Sequence, residues 1–299
     1  MATEVQGALP PTTLTTRWRR LRRSRVLRRL LGHKLFLSGV ALFSIVLAMA
    51  LLADVIAPLP PDEIQIRHRF EPPSAAFPMG TDNFGRDLLS RIVYGARLSL
   101  AIGFAVVILT GIAGTVIGAL AGYFRHLDNP VMRVMDAFMA FPAILLALGI
   151  AAALGASAIN AVIALSLVYA PRTARIVRAS VLVVREMEYV HAARACGASH
   201  GRILLKHVLP NSLAPLIVQL TFIFAYAVIA EAILSFLGLG PEPPTPTWGN
   251  VIAEGRQYIR EAPWITLFPG IAIAMTVLGL NLLGDGLRDG LDPRMKVQQ

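Results

Sequence analysis

Few residues in this 299-residue chain are equipped to do chemistry, and their spacing narrows what that chemistry could be. Two acidic residues, Asp54 and Glu231, stand inside long apolar runs, each toward one end of its run. A carboxylate there either lines a polar path or gate, or bonds to a neighbouring hydroxyl such as that of Ser235. These runs hold no interior basic residue, which argues against a proton relay and against a voltage sensor. A GxxxxGK(S/T) loop would cradle nucleotide phosphates, an HExxH helix would hold zinc, and a GxSxG turn would present a serine nucleophile. None of the three occurs. Neither the six histidines nor the single cysteine, Cys196, has metal-ligand spacing. The sequence therefore predicts no catalytic residue, no metal and no cofactor, and any work it performs must be driven by another subunit.

The elements that carry these residues are apolar. Hydrophobic residues make up 55 % of the chain and charged residues 15 %, against roughly 25 % charged in an average soluble domain. This composition excludes a disordered chain, and the low total charge argues against a soluble nucleic-acid binder. One cysteine excludes a disulfide framework. Six runs, 35–57, 98–122, 137–154, 156–171, 213–237 and 264–284, approach the ~20 residues a helix needs to cross a bilayer. Lipid cannot satisfy open backbone groups, and strand-like alternation is absent, so helices are expected rather than a barrel. The expected architecture is an all-α integral membrane protein with six transmembrane helices.

Charge orients it. Of 28 basic residues, 21 lie in segments 1–34, 123–134, 172–212 and 285–299, and the other seven lie in 58–97 and 238–263. The positive-inside rule then puts both termini in the cytoplasm. Eight arginines between Arg17 and Arg29 read as the anchor of the first span against membrane lipid, rather than as a nucleic-acid site. The apolar run behind them is longer than the h-region of a cleaved signal peptide. The organisation is thus a basic cytoplasmic segment (1–34), a first span (35–57), an outer segment (58–97), a five-helix core (98–284) and a cytoplasmic tail (285–299). Gly114, Gly118 and Gly122 form overlapping GxxxG steps, a surface for close approach by another helix or subunit. Pro142, Pro171, Pro215 and Pro269 fall in or at spans and are expected to kink or end them.

Within the core, the cytoplasmic loop 172–212 is the most informative stretch. Arg172, Arg175 and Arg178 recur every three residues, along one side of a helix leaving the membrane. Ala192, Ala193 and Cys196 form the small face of a short helix, and Gly197 suits its left-handed stop. Ser199 is placed to cap a second helix over 201–208, which Leu209-Pro210-Asn211 ends. The product is a compact knob whose small face fits a groove in a partner, with a self-packed or re-entrant loop as the alternative.

The segment YVHAARACGASHGRILLKHVLPN resembles the EAA loop of binding-protein-dependent ABC importer permeases, which reads E-A-A, three residues, G, nine residues, I-x-L-P. Ala192, Ala193, Gly197, Leu209 and Pro210 match at this spacing. His191 stands where the glutamate belongs and His207 where the isoleucine belongs. His191 thus places an imidazole where the motif has a carboxylate. Three further stretches, 79–100, 231–250 and 281–294, are similar to the C-type permease subunit of the dipeptide/oligopeptide/nickel branch.

The resemblance implies the type I importer permease fold (MetI-like) in a bacterial inner membrane, with no enzyme activity of its own. It implies import of a peptide-like substrate, with nickel or glutathione as alternatives. The implied partners are a second permease, two ATP-binding subunits and a periplasmic or lipid-anchored substrate-binding protein. His191, Ala192, Ala193, Gly197, Leu204, Leu209 and Pro210 would then form the ATPase-docking set. Glu231 would be a pathway or gate residue. Asp82, Arg86, Asp87, Pro244 and Trp248 would meet the binding protein, the first three on an interfacial outer helix over 79–97.

Overall fold

The computed structural model describes residues 30–291; the arginine run 17–29 and the end of the C-terminal motif, 292–294, lie outside the described residues. Within that range every regular element is a helix, apart from one isolated bridge between Thr81 and Asp87. The elements are α1 (Lys34–Leu51), α2 (Leu88–Tyr123), α3 (Arg125–Met139), α4 (Ala143–Leu154) and α5 (Ala158–Val184). They continue with α6 (Glu188–Ala195), α7 (His200–Ile203), α8 (Leu213–Phe236), α9 (Trp248–Gly255) and α10 (Trp264–Leu291).

Four continuous helices are long and apolar enough to cross a bilayer: α1, α2, the run from α7 through α8, and α10. The pair α3–α4, bent by 88°, makes a fifth if it counts as one span. α5 is not among them, because Arg172, Arg175 and Arg178 stand in its second half.

Several expected boundaries move, each for a physical reason. The run 137–154 is not one helix: α3 stops at Met139 and α4 starts after Pro142. Proline has no N–H to donate and pushes the residue before it out of helical geometry. Pro171 neither ends nor interrupts the following helix; it is buried within α5, which runs on to Val184. The interfacial helix expected over 79–97 is replaced by a turn over 79–87 and the first turns of α2. Asp87 starts α2 by accepting a hydrogen bond from the Ser90 amide at its N-cap. α4 ends at Gly155, whose φ is +92°, and the turn into α5 is closed by its own side chains. Asn160 Nδ2 donates to the carbonyls of Leu154 and Gly155 at 2.9 and 3.0 Å, and Ser157 Oγ accepts from the Ile159 amide.

The glycine stripe of α2 finds its partner within the chain. A β-carbon on Gly114 would lie 2.6 Å from Thr173 Cβ, and one on Gly122 would lie 2.9 Å from Val181 Cβ. Such contacts leave no room for a side chain, so α2 and α5 meet backbone to backbone. This pairing sets the two ends of α2 apart: its start anchors the turn 79–87 and its end meets the knob formed by 186–212.

Candidate functional site

Beside the C-terminal end of α2, α6 closes in a Schellman turn. The Gly197 amide donates to the Arg194 carbonyl at 3.0 Å, and the Ala198 amide reaches back to Ala193 at 3.1 Å. Gly197 has φ +76°, the left-handed conformation that glycine adopts without a Cβ penalty. The second half of the knob differs from expectation. Ser199 has the extended backbone of an N-cap but makes no side-chain cap bond. α7 passes through a π turn (Leu204–Val208) and a 3₁₀ turn (Leu209–Ser212) into α8, so Leu209-Pro210-Asn211 bends the chain without ending it. Asn211 Nδ2 and Ser212 Oγ donate to the His207 and Val208 carbonyls and occupy acceptors at this irregular step.

One apolar cluster fixes the knob to the membrane helices. Val190, Ile203 and Val208 are fully buried with Val177 and Val181 of α5 and Leu216 of α8. Ala193, Leu204 and Leu209 pack against this cluster, half-buried. His191, Ala192, Gly197 and Pro210 remain exposed. The seven candidate residues are thus brought together in one knob but divide into an inner set that seats it and an outer set that a partner could touch. His191 Nε2 lies 3.7 Å from Glu186 Oε2, so an acidic group sits beside the position where the motif lacks its glutamate. Behind it is a cleft of about 480 Å³ lined by Tyr123, Arg185, Arg194 and His200, among others. Arg185 Nη1 donates to the Gly122 carbonyl at 2.6 Å, and Tyr123 Oη lies 3.0 Å from His200 Nδ1. These two contacts join the knob to the last turn of α2.

At the N-terminal end of α2, the expected contact residues turn inward. Asp82 Oδ2 accepts from Arg86 Nε and Arg91 Nη1, both at 2.6 Å, and Oδ1 accepts from the amides of Phe84 and Arg86. Glu254 of α9 completes the cluster through two bonds from Arg91, at 2.6 and 3.1 Å, and one from Arg86. Two arginines and two carboxylates leave no net charge in this buried knot. Asp87 Oδ2 holds both the amide and the hydroxyl of Ser90 at 2.7 Å. Trp248 is fully buried, its Nε1 donating to the Ile92 carbonyl at 3.1 Å. Asp82, Arg86, Asp87 and Trp248 are therefore buried and present no exposed contact surface on this chain. Pro244 alone of the five is exposed, beside a cleft of about 410 Å³ shared with Pro61, Tyr94 and Arg97.

Glu231 is also enclosed, at 0 % exposure, and its Oε1 accepts from Ser235 Oγ at 2.7 Å. The carboxylate sits between α8 and the start of α9, where Gly249 packs against Ala232 and Ser235, and it reaches no surface of this chain.

Glu254 escapes the sequence reading, and Arg172 lies in a different element from the loop 172–212 expected to hold it. Glu254 lies 163 residues from Arg91, a separation that leaves no local pattern. Arg172 is not in a loop but in the middle of α5, packed on Tyr226 of α8. The lack of any helix stop between Pro171 and Val184 was the available signal.

Comparison with known proteins agrees with this arrangement. The family described as binding-protein-dependent transport system inner membrane component matches residues 114–297. The N-terminal transmembrane domain of oligopeptide transport permease C matches residues 14–73. A peptide transport system permease protein of Brucella abortus is 55 % identical over 91 % of this chain and 92 % of its own length. The dipeptide transport system permease protein DppC of Alkalihalophilus pseudofirmus is 47 % identical, covering 88 % and 87 %. An inward-facing structure of the MetNI methionine ABC transporter shares the fold, with TM-score 0.56 and 21 % identity over 67 % of this chain and 96 % of the other.

Proposed function

This chain belongs to the family of inner membrane components of binding-protein-dependent transport systems, and we propose that it imports a peptide-like substrate from periplasm to cytoplasm. It is a multi-pass membrane permease, a transport subunit and not the ATPase. Membership implies a second permease, ATP-binding subunits and a substrate-binding protein as partners. The substrate path runs between the two permeases. Dipeptides and oligopeptides are the expected cargo, in keeping with the named activities of the relatives at 55 % and 47 % identity.

The observation that carries the coupling mechanism is the divided knob. Val190, Ile203 and Val208 tie it to α5 and α8, while Ala192 and Gly197 present a small exposed surface. Two ATPases would each receive one such knob in a cleft, this chain supplying one and the second permease the other. Closure of the ATPase pair on ATP then pushes a lever seated on two membrane helices. Small side chains admit close docking, and the Schellman turn holds the two arms of the knob at a fixed angle. The knob therefore faces the cytoplasm, with both termini on the same side, as the distribution of basic residues requires.

The test is Ala192→Arg in the complete transporter, reconstituted with its binding protein. ATP-driven uptake of dialanine should fall at least tenfold and the ATPase subunits should no longer co-purify, while the permease pair stays intact. Normal assembly and uptake would remove the docking role. Failure of the wild-type transporter to take up any dipeptide would remove the substrate class.

A further inference from the structure

Arg172 stands apart from the arginines that follow it on α5. Arg175 pairs with Asp136 at 2.5 Å, and Arg178 pairs with Asp128. Among the described residues Arg172 has no acidic partner. Its guanidinium lies over the ring of Tyr226, 5.6 Å from the centroid, and both side chains are exposed on the surface of the chain. Its place along the helices makes this unusual. Arg172 is fourteen residues, about 21 Å, from the start of α5, and Tyr226 is thirteen residues, about 20 Å, from the start of α8, so the pair sits well inside both helices and not at an end. A guanidinium on such a helix face is not stable against hydrocarbon and faces water, protein or an anion. The aromatic ring offsets part of its desolvation but accepts none of its five N–H donors in the plane.

The surface continues below this pair. A cavity of about 620 Å³ lies between α5, α8 and α10, with Ile176, Gln219, Phe222, Asn211 and Arg288 in its lining. Ile176 is one turn beyond Arg172 on α5; Phe222 and Gln219 are one and two turns below Tyr226 on α8. The pair and the cavity therefore share the same two helix faces, and polar side chains lead from Arg172 through Gln219 to Asn211 and Arg288. The volume is that of a small-ligand site.

We propose that Arg172, seated on Tyr226, is a carboxylate-binding station in the wall of the transport path, and that the cavity beneath it receives the substrate on its way to the cytoplasm. This rests on the peptide-like cargo proposed above, since a peptide presents a terminal carboxylate that the planar guanidinium fork matches in bidentate geometry. Lysine would keep the charge and lose the fork.

The purified transporter, with the binding protein omitted, is titrated with dialanine and with dialanine amide by saturation-transfer NMR. The wild type should bind the acid about tenfold more tightly than the amide. Arg172→Gln should bind the two alike, Arg172→Lys should keep part of the preference, and Tyr226→Leu should reduce it about threefold. A wild type without preference overturns the proposal, as does an Arg172→Gln complex that retains it. An acidic residue of the second permease occupying Arg172 would give the first of these results. ATP-driven dialanine uptake by the wild type is scored separately. Its absence counts against the proposed cargo, while an Arg172-dependent preference for the acid still supports the station.

Discussion

The two ends of α2 handle polar groups in opposite ways. At its N-terminal end, Asp82, Arg86 and Arg91 are buried and ion-paired with one another and with Glu254, and Trp248 and Trp264 donate to backbone carbonyls of the α2 lead-in and first turn. At its C-terminal end, Glu186, His191 and Arg194 are exposed, and the knob is held by one apolar cluster and two polar contacts. A buried ion network tolerates little displacement, because any shift strands a charge in a low-dielectric setting. An apolar seat permits small adjustments at modest cost. The same helix is therefore fixed at the end that builds the frame and compliant at the end proposed to receive force.

The sharpest way to break this contrast is Arg91→Ala. It leaves Arg86 alone against Asp82 and Glu254, so the knot keeps one uncompensated negative charge, and removal of one partner from a buried pair typically costs about 3–5 kcal/mol. Thermal unfolding in detergent should show a large loss of folded permease. A melting temperature unchanged from wild type would mean that the knot is not a frame. Gly118→Val attacks the α2–α5 contact that joins the ends: its β-carbon would lie 2.8 Å from Val177 Cβ. Overpacking of this kind costs about 1–3 kcal/mol, measurable in the same assay and intermediate between the two regions. Gly197→Ala is the mildest. Its β-carbon would meet nothing within 4 Å, so only the left-handed backbone resists it, at about 1 kcal/mol. A loss in Gly197→Ala as large as that in Arg91→Ala would erase the distinction between a rigid frame and a compliant knob.

Much of this was legible from residue order. The apolar runs mark helices, the GxxxG steps mark a close helix contact, and the small face ending at Gly197 marks the knob, because each depends on neighbours within a turn or two. The failures share a cause as well. Whether Pro171 ends a helix depends on what packs around it, and here buried contacts with α2 keep α5 going. Asp82 and Arg86 look exposed in sequence because charge usually means surface; Glu254, far along the chain, is what makes their burial affordable. Arg172 reads as the first loop residue for the same reason, since its seat, Tyr226, lies on a different helix.

The turn between α4 and α5 has a consequence for the path of the chain through a bilayer. α4 has only 12 residues, about 18 Å of rise, against a hydrocarbon thickness of about 30 Å. With Asn160 and Ser157 occupying its backbone groups, the turn at Gly155 brings its own hydration substitute and has no need of bulk solvent. The α4–α5 hairpin can therefore turn back before it has travelled the full thickness of a bilayer.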